Sequence, residues 1–176
     1  YGDKMAGFSI PAAEHSSITT WGKARETEAY RNMLTQFANP GSMVAIVSDS
    51  YDIINAARNI WGDTLRQEVI DSGATIIIRP DSGDPTSTVV RVLHALADKF
   101  GTYVNQKGYK VLNYVRVIQG DGINEESISD ILTIATSAKF SADNIAFGMG
   151  GALLQQIDRD TNKFAMKTSA MRIIGK

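Results

Sequence analysis

Four short segments of this chain gather residues able to do chemistry, each directly after an apolar run. They are Ser48-Asp49-Ser50, Arg79-Pro80-Asp81-Ser82-Gly83, Gly120-Asp121-Gly122 and Gly148-Met149-Gly150-Gly151. Arg79 and Asp81 set a guanidinium and a carboxylate on either side of a proline-stiffened bend. The guanidinium can hold a pyrophosphate or a planar ring, and the carboxylate can accept from sugar hydroxyls. The competing reading is an Arg–Asp ion pair that satisfies itself at a sheet edge. Asp49 and Asp121 allow three roles: contact to ribose hydroxyls, contact to a hydrated magnesium ion, or the cap of the next helix. Gly148-x-Gly150-Gly151, ahead of a short helix at Leu153-Leu154-Gln155, lets backbone N–H groups approach an anion. Arg159 and Lys167 lie downstream, as fixed positive charge for a phosphate or as a solvated surface pair. This glycine turn lacks both the dinucleotide G-x-G-x-x-G and the Walker lysine. His15 sits in Pro11-Ala12-Ala13-Glu14-His15-Ser16-Ser17. Exposure among small residues suits a nucleophile or a proton-transfer group; a structural hydrogen-bonder is the alternative.

The elements that must position these residues are short β-branched runs alternating with helical periodicity. Val44–Val47, Thr75–Ile78, Tyr114–Gln119 and Asn144–Phe147 read as strands, with a fifth over Phe164–Met171. Ile53, Ile54, Ala57 and Ile60 mark one buried helix face. Asp63 looks like the N-cap of a short helix carrying Leu65, Val69 and Ile70 and ended by Gly73. Asp84-Pro85 opens a helix with Val89, Leu93, Leu96 and Phe100 inward. Asn124 begins another with Ile128, Ile131, Leu132 and Ala135 inward, and Trp21–Phe37 forms a helix with Tyr30, Met33, Leu34 and Phe37 on one side. Gly101–Lys110 reads as a polar surface loop. His94, inside the 85–100 helix, is assigned no function.

Strand centres recur at roughly 30 to 40 residues, the cadence of a βα unit in a parallel sheet buried on both faces. The fold class is α/β, either an open doubly wound sheet or part of an incomplete β/α barrel, since a closed one needs eight strands and roughly 250 residues. In both architectures the carboxyl ends of the strands share one rim, where such proteins place their sites.

Composition narrows the partners. The 176 residues hold 18 Lys plus Arg against 19 Asp plus Glu, a net charge of −1. Nothing there holds a polyanion by counterion release, so no nucleic-acid partner is expected. Apolar runs are short, so no membrane span is expected. Cysteine is absent and histidine occurs twice, which removes disulfides, thiolate catalysis and multi-His metal centres. The start at Tyr1 without Met and the stop after an apolar run read as one domain section, 1–176, of a longer polypeptide.

Five strings in order, Pro11–Ser16, Ser48–Asp52, Ile78–Gly83, Val117–Gly122 and Asn144–Gly148, resemble the nicotinamide phosphoribosyltransferase family of NAD-salvage enzymes. The likeness runs from about Gly7 to Ser169 and corresponds to the central to C-terminal section of a longer enzyme. It implies a partial, incomplete β/α barrel of the type II phosphoribosyltransferase kind in a cytoplasmic homodimer with its active site at the subunit interface. It implies substrates nicotinamide and phosphoribosyl pyrophosphate, with magnesium, and ATP coupled through a phosphohistidine. By the resemblance, His15 is that histidine and lies against pyrophosphate. Arg79 contacts pyrophosphate and the base, Asp81 belongs to the same segment, and Gly120 and Asp121 meet the ribose. Gly150 and Gly151 approach the ribosyl phosphate with Arg159 as charged partner, and Asp49 and Lys167 line the pocket. Ala152 stands where a third glycine is expected. Nicotinate phosphoribosyltransferase, a non-catalytic phosphate-binding module, and a magnesium hydrolase using Asp49, Asp81 and Asp121 are the rival readings.

Overall fold

The protein is described from a computed structural model over residues 9–148, 161–163, 166, 168 and 170–172. Five parallel strands form the central sheet: β1 (Ala12–Ala13), β2 (Met43–Val47), β3 (Thr75–Arg79), β6 (Val115–Gln119) and β7 (Ile145–Phe147). A two-stranded antiparallel ribbon, β4 (Thr102–Val104) with β5 (Lys110–Leu112), stands apart from it. The helices are α1 (His15–Thr19), α2 (Glu26–Phe37), α3 (Ile53–Asn55), a π-helix (Ala56–Thr64), α4 (Arg66–Ser72), α5 (Pro85–Phe100) and α6 (Glu125–Ser137).

Strand order across the sheet follows chain order, β1-β2-β3-β6-β7. Each new strand is added on the same side, so there is no reversal point of the kind a doubly wound sheet uses. Sequential parallel addition is the topology of a barrel sector. Of the two architectures the sequence allows, this selects the incomplete barrel; the sheet of described strands is open.

The middle strands are largely apolar because both faces are covered; Arg116 of β6 is an exception, its Nη1 donating to the Leu112 and Val115 carbonyls at 2.6 and 2.7 Å. Val44, Ile46, Val47, Ile76, Ile78, Val115 and Val117 are fully buried, packed with Leu93, Leu96, Ile131 and Phe140. Asp84 caps α5 by accepting from Ser87 N–H at 2.8 Å, and Asn124 caps α6 by accepting from the Ser127 N–H at 2.9 Å. Gly73 ends α4 in the left-handed region at φ 64°, a conformation that glycine adopts without a Cβ penalty.

Several expected elements differ. The helix expected at Ile53–Ile60 is only briefly α and then widens into the π-helix, a change of hydrogen-bond span that an apolar stripe does not reveal. Asp63 caps nothing; it lies inside the π-helix, and its carboxylate accepts from Lys99 Nζ at 2.6 Å. The Gly101–Lys110 loop contains β4, whose Tyr103 and Val104 point outward and so give no buried pattern to read, and it leads into β5. The Trp21–Phe37 helix begins as a 3-10 turn at Lys23–Arg25, and Phe37 stays exposed. Asn144 belongs to a 3-10 turn before β7 rather than to the strand. The sheet's fifth strand is the two-residue β1. The strand expected over Phe164–Met171 lies largely outside the described residues, and Met166, Thr168, Ala170 and Met171 are not in a strand. The helix at Leu153–Gln155 lies outside the described residues. His94 packs edge-on against Phe140 with ring centroids 5.0 Å apart, a structural contact.

Candidate active site

Register brings the strand tips together. Val47 pairs with Arg79, Ile78 with Val117, and Gln119 with Phe147, so the carboxyl ends lie on one rim. An open cleft of about 530 Å³ occupies that rim, with Glu14, His15, Arg79, Asp81, Gly120 and Asp121 among its lining residues. Residues scattered over more than a hundred positions of chain thereby share one mouth, as the sequence cadence requires.

His15 opens α1 directly after β1. Its Nε2 lies 2.8 Å from Asp49 Oδ1, and its Nδ1 lies 3.8 Å from Asp81 Oδ2. The Asp49 carboxylate is 2% exposed, and its other oxygen accepts from the Asp81 backbone N–H at 3.0 Å and from Ser82 Oγ at 2.5 Å. Burial, the largest influence, pushes the Asp49 carboxyl up. Hydrogen bonds from Ser82, His15 and the Asp81 N–H together outweigh it and hold the group below its ordinary value. An ionised carboxylate only accepts, so Nε2 carries a proton and Nδ1 is left facing the cleft.

Arg79 ends β3 with its side chain only 15% exposed. Its Nη1 and Nη2 donate to the two carboxylate oxygens of Glu14 at 3.0 and 3.1 Å, and Nη2 also donates to Asp81 Oδ2 at 3.1 Å. Burial works against the guanidinium charge, but the Glu14 and Asp81 carboxylates more than offset it and raise its pKa. The Arg79 Nε is buried without a hydrogen-bond partner among the described residues.

Behind these groups the β2 tip is braced from below. Ser48 Oγ donates to the Ile46 carbonyl at 2.9 Å and accepts from Trp61 Nε1–H at 3.1 Å. Trp61 in turn stacks on Tyr30 of α2 at 4.8 Å. Across the mouth, bare backbones meet: a Cβ on Gly148 would lie 3.5 Å from Gly120 Cα, and one on Gly120 would lie 3.9 Å from Asp81 Oδ1.

His15, Arg79, Asp81, Gly120 and Asp121 thus converge as expected, with Asp49 immediately behind them. The structure also resolves their alternatives. Asp52 caps α3 by accepting from the Ile54 and Asn55 N–H groups at 2.9 Å, and Asn124 caps α6, so neither Asp49 nor Asp121 is a helix cap. Asp49 is sealed by donors and not open to a hydrated cation, which removes a ligand from the magnesium-hydrolase alternative. The Arg79–Asp81 ion pair exists, but it lines the cleft rather than closing an edge. Gly150, Gly151, Arg159 and Lys167 lie outside the described residues. Glu14 and Ser82 escaped the sequence reading; the signal for Glu14 was adjacency to His15, and that for Ser82 was its place in the Arg79–Gly83 turn.

The parallel sheet delivers a guanidinium, an oriented imidazole and carboxylates to one mouth, so the fold and site define an α/β protein with a polar cleft at the carboxyl ends of its strands. The chain belongs to the nicotinate phosphoribosyltransferase (NAPRTase) family, whose model matches residues 3–176. It is 65% identical over 175 residues to a Xanthomonas campestris pv. campestris (strain 8004) protein named nicotinamide phosphoribosyltransferase, covering 99% of this chain and 37% of that one. A Mycoplasma pneumoniae protein of the same name is 34% identical over 182 residues, covering 96% of this chain and 40% of that one. An Acinetobacter baylyi protein, again of that name, is 28% identical over 191 residues, with 97% and 37% covered. The chain therefore spans about two fifths of the length of the curated relatives it matches. Among the described residues no helix is long and apolar enough to cross a membrane.

Proposed function

We propose that this chain carries the phosphoribosyl-handling section of a nicotinamide phosphoribosyltransferase of NAD salvage. The observation that carries the reading is the cleft where Arg79, Asp81 and the Asp49-held His15 meet; the relatives' names supply the substrates. In the reaction the bond from ribosyl C1 to pyrophosphate oxygen breaks as the bond from C1 to the pyridine nitrogen forms. Positive charge grows on the sugar and negative charge on the leaving group, so catalysis is mainly positioning and electrostatics. Arg79 holds the pyrophosphate, and Asp81, Asp121 and the Gly120 backbone hold the ribose. Glu14 fills two guanidinium N–H positions with a planar carboxylate. Pyrophosphate oxygens take its place in the same two-pronged arrangement, and Glu14, 64% exposed, swings out to water.

ATP coupling runs through His15. With Nε2–H given to Asp49, the Nδ1 lone pair attacks the γ-phosphorus. The N–P bond forms, the bond to the bridging oxygen breaks and ADP leaves; water later cleaves the N–P bond and releases phosphate. The added charge beside Asp81 and Arg79 changes how the cleft holds pyrophosphate. Magnesium, when bound, would come with the substrate pyrophosphate and would neutralise its charge. Among the described residues no group of three or more His, Asp or Glu side chains is placed to hold a metal ion. Gly150, Gly151, Arg159 and Lys167 complete the phosphate site in this reading. A cytoplasmic homodimer with a shared site belongs to the same reading.

The family description favours a second reading, nicotinate as the base. Supplying the intact protein with phosphoribosyl pyrophosphate and equal nicotinamide or nicotinate separates the two. Preferential formation of nicotinamide mononucleotide is expected. Preference for nicotinate selects the second reading, and tight binding of nicotinamide mononucleotide without turnover of either base overturns both in favour of a binding module.

A further inference from the structure

Asp49 does more than face His15: it ties two separate pieces of chain together. One oxygen takes His15 Nε2 at 2.8 Å, on the segment after β1. The other takes both the Asp81 N–H at 3.0 Å and the Ser82 hydroxyl at 2.5 Å, on the turn after β3. The backbone N–H alone leaves that oxygen free to pivot about the Cβ–Cγ bond. The hydroxyl supplies a second, charge-assisted bond from a different direction and locks the carboxylate plane. Ser82 itself is exposed, so its side chain is there for this contact and not to fill a core. The turn is in turn fixed by Pro80 and by Gly83, whose φ of 84° lies in the left-handed region and lets Asp84 reach its capping place.

We infer that Ser82 is a positioning residue for His15. Acting through Asp49, its hydroxyl fixes the imidazole as the Nε2–H tautomer and couples the state of the Arg79–Gly83 turn to the readiness of Nδ1. This inference rests on the proposed function for its consequence in catalysis, but its physical core concerns only tautomer and geometry. The charged and titratable groups around Asp49 are His15 and Glu14 on the α1 side, Arg79 and Asp81 on the β3 side, and Tyr30 from α2. Ser82 is the leading hydrogen bond among those lowering the Asp49 pKa, so its loss moves Asp49 toward protonation at higher pH.

The test compares wild type, Ser82→Ala and Ser82→Thr in the intact protein. The first readout is the nitrogen chemical shifts of His15, read by NMR without substrates and assigned with His15→Gln. Wild type and Ser82→Thr should show the Nε2–H tautomer, and Ser82→Ala a mixture with Nδ1–H. The second is the pH profile of His15 phosphorylation by ATP. In Ser82→Ala its acidic limb should move to higher pH, with a loss of about tenfold near neutrality that Ser82→Thr restores. An unchanged tautomer and an unchanged acidic limb in Ser82→Ala overturn the inference. A tautomer shift in a protein that neither takes phosphate from ATP nor makes a mononucleotide upholds the positioning role and overturns the proposed function instead.

Discussion

His15 and Asp49 are 34 residues apart in sequence, yet His15 Nε2 and Asp49 Oδ1 are 2.8 Å apart beside the cleft. The pairing exists because β1 and β2 are parallel neighbours, with Ala13 opposite Ile46, so the residues just beyond their carboxyl ends emerge side by side. Polarity flows one way through the pair: a buried anion orients an imidazole, and the imidazole presents its other nitrogen to the cleft.

Asp49→Asn tests that direction. The amide nitrogen would meet either His15 Nε2–H or the Asp81 and Ser82 donors, and each orientation sets donor against donor. His15 then favours the other tautomer, with its proton on the nitrogen that should attack. Phosphorylation of His15 by ATP is expected to fall by about 100-fold or more, measured as acid-labile phosphate per chain. Retention of wild-type labelling would remove Asp49 from the orienting role.

Arg79→Lys keeps the charge and loses the fork. A single ammonium cannot replace two parallel N–H donors, so kcat/KM for phosphoribosyl pyrophosphate should drop by about 10- to 100-fold. Glu14→Gln should act in the opposite sense on KM, lowering it, because a neutral amide competes less well for the guanidinium. Steady-state kinetics on both variants checks the pair, and a higher KM in Glu14→Gln would show that Glu14 assists binding rather than yielding to it.

Gly120→Ala adds one methyl group to the cleft floor. The new Cβ would lie 3.9 Å from Asp81 Oδ1, an ordinary contact, so folding is unaffected and the denaturation midpoint should match wild type. Substrate loses the close backbone approach, and KM for phosphoribosyl pyrophosphate should rise about tenfold. A destabilised protein with normal KM would assign Gly120 to the fold instead.

Two buried carboxyls give opposite pH signatures. Asp49 has a folded pKa below its ordinary 3.8, so its contribution to stability is complete above that value and is lost as pH falls through the depressed folded value. Glu26 is 5% exposed and accepts from Tyr30 Oη at 2.6 Å. Burial, the dominant cause, raises it above its ordinary 4.5 despite the tyrosine bond. Its contribution is therefore complete below 4.5 and is lost as pH rises through the raised folded value. Glu26→Gln keeps an acceptor for Tyr30 without the buried charge. It should gain about 1 kcal/mol at pH 8 and nothing at pH 4, read from urea midpoints. Equal effects at both pH values would mean that packing, not ionisation, decides.

The sequence by itself determined the parallel strands and their cadence, since strands covered on both faces are built from apolar runs, as Val44–Val47 and Ile76–Ile78 are. It determined the caps at Asp84 and Asn124 and the polar strand tips. It was silent on β1, where two alanines hold a strand only because β2 lies beside them, and on the π-helix, where the same apolar stripe serves either hydrogen-bond span. Only the tertiary structure decided which acid does what. Asp49, Asp81 and Asp121 look alike as residues beyond strand ends; burial and the donors of Ser82 and His15 make the first an orienting anion, while Arg79 claims the second and the third stays open to the cleft. Such roles depend on neighbours brought in from other strands, and a linear sequence carries no distance between them.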